Sequence, residues 1–153
     1  GSGCSEYEFA RFFNYTAPAI TITDPKSLVA FKPKDTFGGR VNYVESRLAL
    51  ISGATDLNKV ARFTIIKNPV ITNTPTWNDI DIDSTVQYSE DITIDFDNSN
   101  DYFIVWNTGK VDSFLEKLYD LQLDLKPGDI ACFYLASDGT GEVNLAVNWW
   151  ELF

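Results

Sequence analysis

Histidine and methionine are absent from the 153 residues, and only two cysteines, Cys4 and Cys132, are present. Without histidine there is no Ser-His or Cys-His nucleophile pair, no imidazole acid–base catalyst and no histidine-based zinc or copper site. Two thiols alone neither complete a structural zinc site nor make a disulfide framework, so stability must come from a core. Cys132 lies in the apolar run "IACFYLA" and reads as a small buried hydrophobe. Positive charge is also scarce. Lys and Arg number 12 against 22 Asp and Glu, a net charge of −10, which argues against nucleic acid and against anionic membrane as partners. No apolar run approaches the roughly 20 residues that span a bilayer. The missing methionine and the opening Gly1-Ser2-Gly3 read as a tag remnant (residues 1–3) on a fragment of a longer protein.

The remaining composition is that of a globular domain: 44% hydrophobic, 22% charged and 14% aromatic. Abundant aromatics, Asn and Thr favour strands and turns. Alternation of apolar and polar residues recurs in "RVNYVESRLALIS" (Arg40 to Ser52) and "KVARFTIIKNP" (Lys59 to Pro69). The turn residues of "GATDLN" between them predict a hairpin. Further runs follow in "STVQY", "DITIDFD", "YFIVWNT", "LQLDL", "IACFYLA" and "EVNLAVNWWELF". Short strands punctuated by turns such as "KPGD" and "SDGTG" predict an all-β, antiparallel, jelly-roll-like sandwich.

One segment is ambiguous. In "VDSFLEKLYDL", Val111, Phe114, Leu115 and Leu118 fall at helical spacing, with Asp112 placed to cap. Either one short helix around 111–119 or an extended crossover satisfies the pattern. The last two runs predict a C-terminal hairpin across "SDGTG". In its final strand Val143, Leu145, Val147 and Trp149 share the core face, which leaves Trp150 pointing outward. An outward tryptophan there meets another subunit or is covered by a loop.

Candidate chemistry is thin. "SDGTGE" lacks the Lys-Ser/Thr pair of a phosphate-binding loop. Asp95, Asp97, Ser99 and Asp101 occupy the first, third, fifth and seventh places of a calcium-loop pattern, a possible metal set. Asn100 replaces its glycine, however, and Trp106 its closing glutamate. Asp79, Asp81 and Asp83 would share one face of an extended segment, as calcium ligands or as a solvated face. Trp77, Trp106 and Tyr88 are candidate stacking platforms for a sugar, and the same rings serve equally as core or subunit contacts. Nothing in these patterns builds a catalytic site or calls for a cofactor, and the chain reads as a non-enzyme.

From Phe37 to Phe153 the order of the pieces resembles a C-terminal β-domain of tailed-phage virion appendages, of fibre or head-fibre type. The likeness rests on "FGGRVNYVESRLAL", "KVARFTIIKNPVIT", "WNDIDIDSTVQYS", "LQLDLKPGDIACFYLAS" and the ending "VNLAVNWWELF", similar to a family ending built on Trp followed by Glu. The Pro-Gly-Asp turn also occurs in trimeric jelly rolls of the tumour-necrosis-factor and C1q type. What the resemblance implies is a virion structural protein: a homotrimeric knob or fibre module, contacting other virion proteins and acting in assembly or host-surface recognition. Trp150 and Phe153 are then expected at the oligomer interface. The alternative is a carbohydrate-binding module of a secreted or cell-surface protein, or a virion knob that itself binds a host glycan. Residues 37–153 are expected to form the sandwich, and residues 4–36 an N-terminal arm or its first strands.

Overall fold

A computed structural model of the chain describes residues 11–153, without the side chains of residues 103–105. Cys4 and the start of the expected arm, residues 4–10, lie outside the described residues, as does the Gly1-Ser2-Gly3 remnant.

Two antiparallel sheets face one another. The first runs β1 (Arg11–Thr16), β16 (Gly141–Leu152), β6 (Glu45–Leu57), β13 (Val111–Lys117), and the short β2 (Ile20–Ile22) and β14 (Asp124–Leu125) extend its pairing on β16 and β6. The second runs β12 (Tyr102–Thr108), β7 (Ala61–Lys67), β15 (Ala131–Ala136), β3 (Lys26–Pro33), β10 (Val86–Ser89), β9 (Asn78–Asp79). Among the eight principal strands, β1, β3, β6, β7, β12, β13, β15 and β16, every link crosses between sheets except β7 to β12. That is the jelly-roll order, and the fold is an all-β sandwich. Residues 11–33 are thus integral to both sheets, since β1 pairs with β16 and β3 with β15.

Both expected hairpins are corrected. β6 pairs with β16, β13 and β14, while β7 pairs with β12 and β15. Likewise β15 and β16 lie in opposite sheets. The turn chemistry was real, but it builds arches. Asn58 carries the contact between two of them: its amide oxygen accepts from the Thr140 N–H at 2.9 Å, and its own N–H reaches the Thr140 carbonyl at 3.2 Å. Gly139 is required there, because a Cβ would stand 2.6 Å from Asn58 Oδ1. The helix alternative is also overturned, for Val111–Lys117 is a seven-residue strand followed by one 3-10 turn, Tyr119–Leu121. Tertiary pairing decides it. As a strand, the segment covers the free edge of the thirteen-residue β6 and still turns Phe114 inward against Phe63, with ring centroids 4.9 Å apart.

The core between the sheets is aromatic at its centre. Phe31 meets Trp149 at 5.3 Å, Phe133 at 5.6 Å and Tyr15 at 5.4 Å. Residues 68–101, the link from β7 to β12, fold over the outer face of the second sheet. They pair β8 (Val70–Ile71) with β11 (Ile94–Asp95) and bury Ala30, Cys132 and Ile92 beneath Trp77, Ile71 and Ile94.

Candidate functional site

The most concentrated polar chemistry in the described residues belongs to Glu151, which the alternation of β16 turns inward beside Trp149. It is completely buried. Its Oε1 accepts from the Thr85 N–H at 2.6 Å and the Thr85 hydroxyl at 2.9 Å. Oε2 accepts from the Ser84 hydroxyl at 2.5 Å and the Trp149 indole N–H at 3.0 Å. Two oxygens thus receive four donors, the condition under which a carboxylate tolerates burial. Chemically this is a clamp: it fastens the segment entering β10, in the second sheet, to the last turn of β16 in the first. Glu151 was not among the residues singled out from the sequence. The signal was present, since Val143, Leu145, Val147, Trp149 and Glu151 share one parity.

The aromatic candidates do not converge. Trp77 is half-buried over the covered face of the second sheet, with Lys32 Nζ 4.6 Å from its ring centroid. Tyr88 turns the other way, into the core, 4.7 Å from Tyr15. Trp106 stacks on Phe63 at 5.4 Å, and its indole N–H is buried with no acceptor among the described residues. Tyr88 and Trp106 thus pack against the central core, while Trp77 lies on the opposite face of the second sheet.

The acidic candidates act as loop clamps. Asp95 Oδ1 accepts from the Asn98 N–H, and Ser99, buried, donates to the Asp95 carbonyl while accepting from the Val70 N–H at 2.9 Å. Asp97 and Asp101 are exposed. Asp79 takes Gln87 Nε2 at 2.9 Å and lies 3.7 Å from Lys34, and Asp81 caps the Asp83 N–H. Among the described residues no three carboxylates or thiols gather as metal ligands. Burial pushes the Cys132 thiol up to about 12, against a weaker opposing pull from the Ser27 hydroxyl, so at neutral pH it is a packed, protonated group.

Outside the clamp, a cavity of about 400 Å³ lies between residues 25–28, the 90–94 loop and Tyr134. Beside it the Tyr15 hydroxyl donates to Glu90. Burial, that hydrogen bond and the Glu90 charge together hold this phenol well above its ordinary range.

Trp149 is core, as its parity predicts. Trp150 is half-buried on the outer face, with the Tyr119 ring 6.0 Å away as a cover. Phe153 is 41% exposed, flanked by Phe37 at 6.1 Å and by the Arg11 guanidinium at 4.9 Å. Phe37 belongs to a small ribbon of β4 (Thr36–Phe37) and β5 (Arg40–Val41); Val41 within it and Tyr43 just after it are exposed, although the alternation of Arg40 to Ser52 reads as one half-buried strand. Phe12, opposite Trp150 in the register, is 53% exposed. Compared with protein-family models and with curated protein sequences, the chain matches none of them.

Proposed function

We propose that the domain is a non-catalytic structural module of a virion surface appendage, a trimeric knob or fibre-type unit that acts in assembly or host-surface recognition. The observation that supports this reading is the distribution of side chains at the end of the sandwich where β1 starts and β16 stops. Phe12, Phe153 and Ile82 stand exposed there, beside the buried Glu151 clamp. Exposed aromatic anchors on a rigid sheet are what a subunit or partner contact uses. Such a module works by presenting a fixed surface, and a jelly roll stabilised by a buried clamp supplies the rigidity.

The experiment is the mass in solution, by light scattering coupled to size exclusion. A mass near three chains supports the assembly reading. A mass near the 17.2 kDa of one chain, together with glycan binding that Trp77→Ala abolishes, replaces it by the carbohydrate-binding reading.

A further inference from the structure

The outer face of the second sheet is covered unevenly. Residues 68–101 bury Ala30 and Cys132 near one end of β3 and β15. At the other end one cross-strand row stays open: Asn107 of β12 and Ala136 of β15 stand on either side of Arg62 of β7. Arg62 and Asn107 are exposed and Ala136 is half-buried. This row, with Val60, Thr108 and Asp138, lines a cleft of about 610 Å³. Its polar groups are unspent. The Arg62 guanidinium has one hydrogen bond among the described residues, from Nε to Asn107 Oδ1 at 3.5 Å, the outer limit of such a contact. Its two terminal nitrogens and the Asn107 NH2 remain as donors. Asp138 is exposed, and neither it nor Arg62 belongs to an ion pair among the described residues. Thr108 is only 5% exposed, and its hydroxyl has no hydrogen-bond partner among the described residues.

We propose that this cleft binds neutral saccharide units of a surface glycan. The inference rests on the recognition half of the reading above and names its ligand class and site, moving the sugar contact from Trp77, Tyr88 and Trp106 to Arg62, Asn107 and Asp138. The ligand class follows from the donors and acceptors present. A cationic ligand meets the Arg62 charge and an anionic one the Asp138 charge, whereas a polyol opposes neither. A hydroxyl both donates and accepts, so it takes hydrogen bonds from Arg62 and Asn107 and gives one to Asp138. The Thr108 hydroxyl gains the kind of partner it lacks. Val60, 63% exposed, and Pro25 supply apolar surface for the C–H face of a sugar ring. The row spans two strand spacings, about 10 Å, and the cleft falls within the roughly 300–1,000 Å³ of small-ligand pockets. Pro25 also borders the cavity of about 400 Å³ that Tyr134 lines. Tyr134 precedes Ala136 by two residues on the same side of β15, so a glycan longer than one ring has an aromatic contact onto which to continue.

Saturation-transfer NMR tests the assignment, with the methyl glycosides of glucose, galactose, mannose and N-acetylglucosamine at millimolar concentration and sialyllactose as the acidic probe. Arg62→Ala and Asp138→Ala are made singly, with Trp77→Ala as the control, and circular dichroism confirms that each is folded. The expected result is a wild type that binds at least one neutral glycoside, a loss of about tenfold or more in each cleft variant, and no change in Trp77→Ala. Binding of sialyllactose alone, lost in Arg62→Ala, overturns the neutral class. A glycoside bound equally by wild type and both cleft variants overturns the site, and binding of no glycoside overturns the proposal. The mass in solution separates this from the reading on which it rests. A trimer that binds no glycoside keeps the assembly reading and removes the cleft, and a single chain with Arg62-dependent binding keeps the cleft and removes the trimer.

Discussion

Glu151 permits the sharpest energetic test of the fold. In Glu151→Ala, four donors lose their acceptor. Two of them, the Ser84 and Thr85 hydroxyls, can rotate toward other partners. The other two, the Thr85 backbone N–H and the Trp149 indole N–H, are fixed by β10's entry and by the core position of Trp149. An unsatisfied buried donor costs about 1–3 kcal/mol. The lost side-chain volume adds a cavity term, and relief of the buried carboxylate's desolvation offsets part of the total. The expected cost is about 3–5 kcal/mol, against a total stability of about 5–15 kcal/mol for a domain. Glu151→Gln separates the terms. Its amide oxygen keeps both Thr85 donors and its NH2 can donate to Ser84, so only the Trp149 N–H meets a donor instead of an acceptor; about 1–3 kcal/mol follows. Urea unfolding at fixed protein concentration, followed by tryptophan fluorescence, measures both variants. At about 2–4 °C per kcal/mol for a chain of this size, the melting temperature of Glu151→Ala falls by about 10 °C. The reasoning fails if Glu151→Ala loses less than about 0.5 kcal/mol, or if Glu151→Gln costs as much as Glu151→Ala with an unchanged denaturant slope. If Glu151→Ala cannot be obtained folded, the glutamine variant still decides.

Two further substitutions probe the packing and the turns. Gly53→Ala would set a Cβ 2.2 Å from the Asn144 carbonyl oxygen and 2.9 Å from the Phe114 ring. Backbone on the central strand must then move, and a loss of at least about 1–3 kcal/mol is expected in urea unfolding; a wild-type midpoint would show that β6 and β16 are not held as described. Asp129 closes the Lys126–Asp129 turn, whose Gly128 has φ +102. Burial works against its charge, but Asn68, the Lys126 N–H and the Lys67 ammonium together hold it below the ordinary aspartate value of 3.8. A depressed folded value means stability that is present above about pH 4 and lost as pH falls further. The stability gap between wild type and Asp129→Asn should therefore narrow from pH 5 to pH 2, and a constant gap would refute the assignment.

Much of the fold is legible in the sequence because alternation reports which side chains face a core. Val143 to Trp149 read correctly as a core-facing series, and the outward place of Trp150 follows from the same count. Alternation does not report the neighbouring strand. "GATDLN" and "SDGTG" have the residues of hairpin turns, yet Asn58 and Gly139 use that chemistry to brace two arches against each other. The decision is made by distant strands competing for the same edges. The 111–119 segment shows the same limit from another side. Its apolar spacing fits a helix or a strand, and the open edge of β6 selects the strand. Trp77, Tyr88 and Trp106 are grouped because large aromatic rings can stack on a sugar, and three different packing partners then disperse them. Glu151 was legible by parity but overlooked, since a glutamate at a core position contradicts the expectation for charged residues unless donors from elsewhere, here Ser84 and Thr85, are known to meet it.

The aromatic ending of β16 follows from its place in the sheet. β1 and β6 do not pair with each other; each pairs with β16, from Arg11 opposite Glu151 on one side to Glu45 opposite Leu152 on the other. The first sheet therefore has no continuous hydrogen-bond ladder until β16 is inserted along its whole length. A strand in that position cannot fray at its end without opening two ladders at once. Trp149 fixes the end by packing on Phe31 and Phe13, and Glu151 fixes it by reaching the opposite sheet. One side of the pair Trp149–Trp150 thus locks the sandwich shut. The other side, Trp150, stands half-buried on the outer face of the first sheet with the Tyr119 ring 6.0 Å away, so adjacent residues of one strand serve the core and the surface in turn.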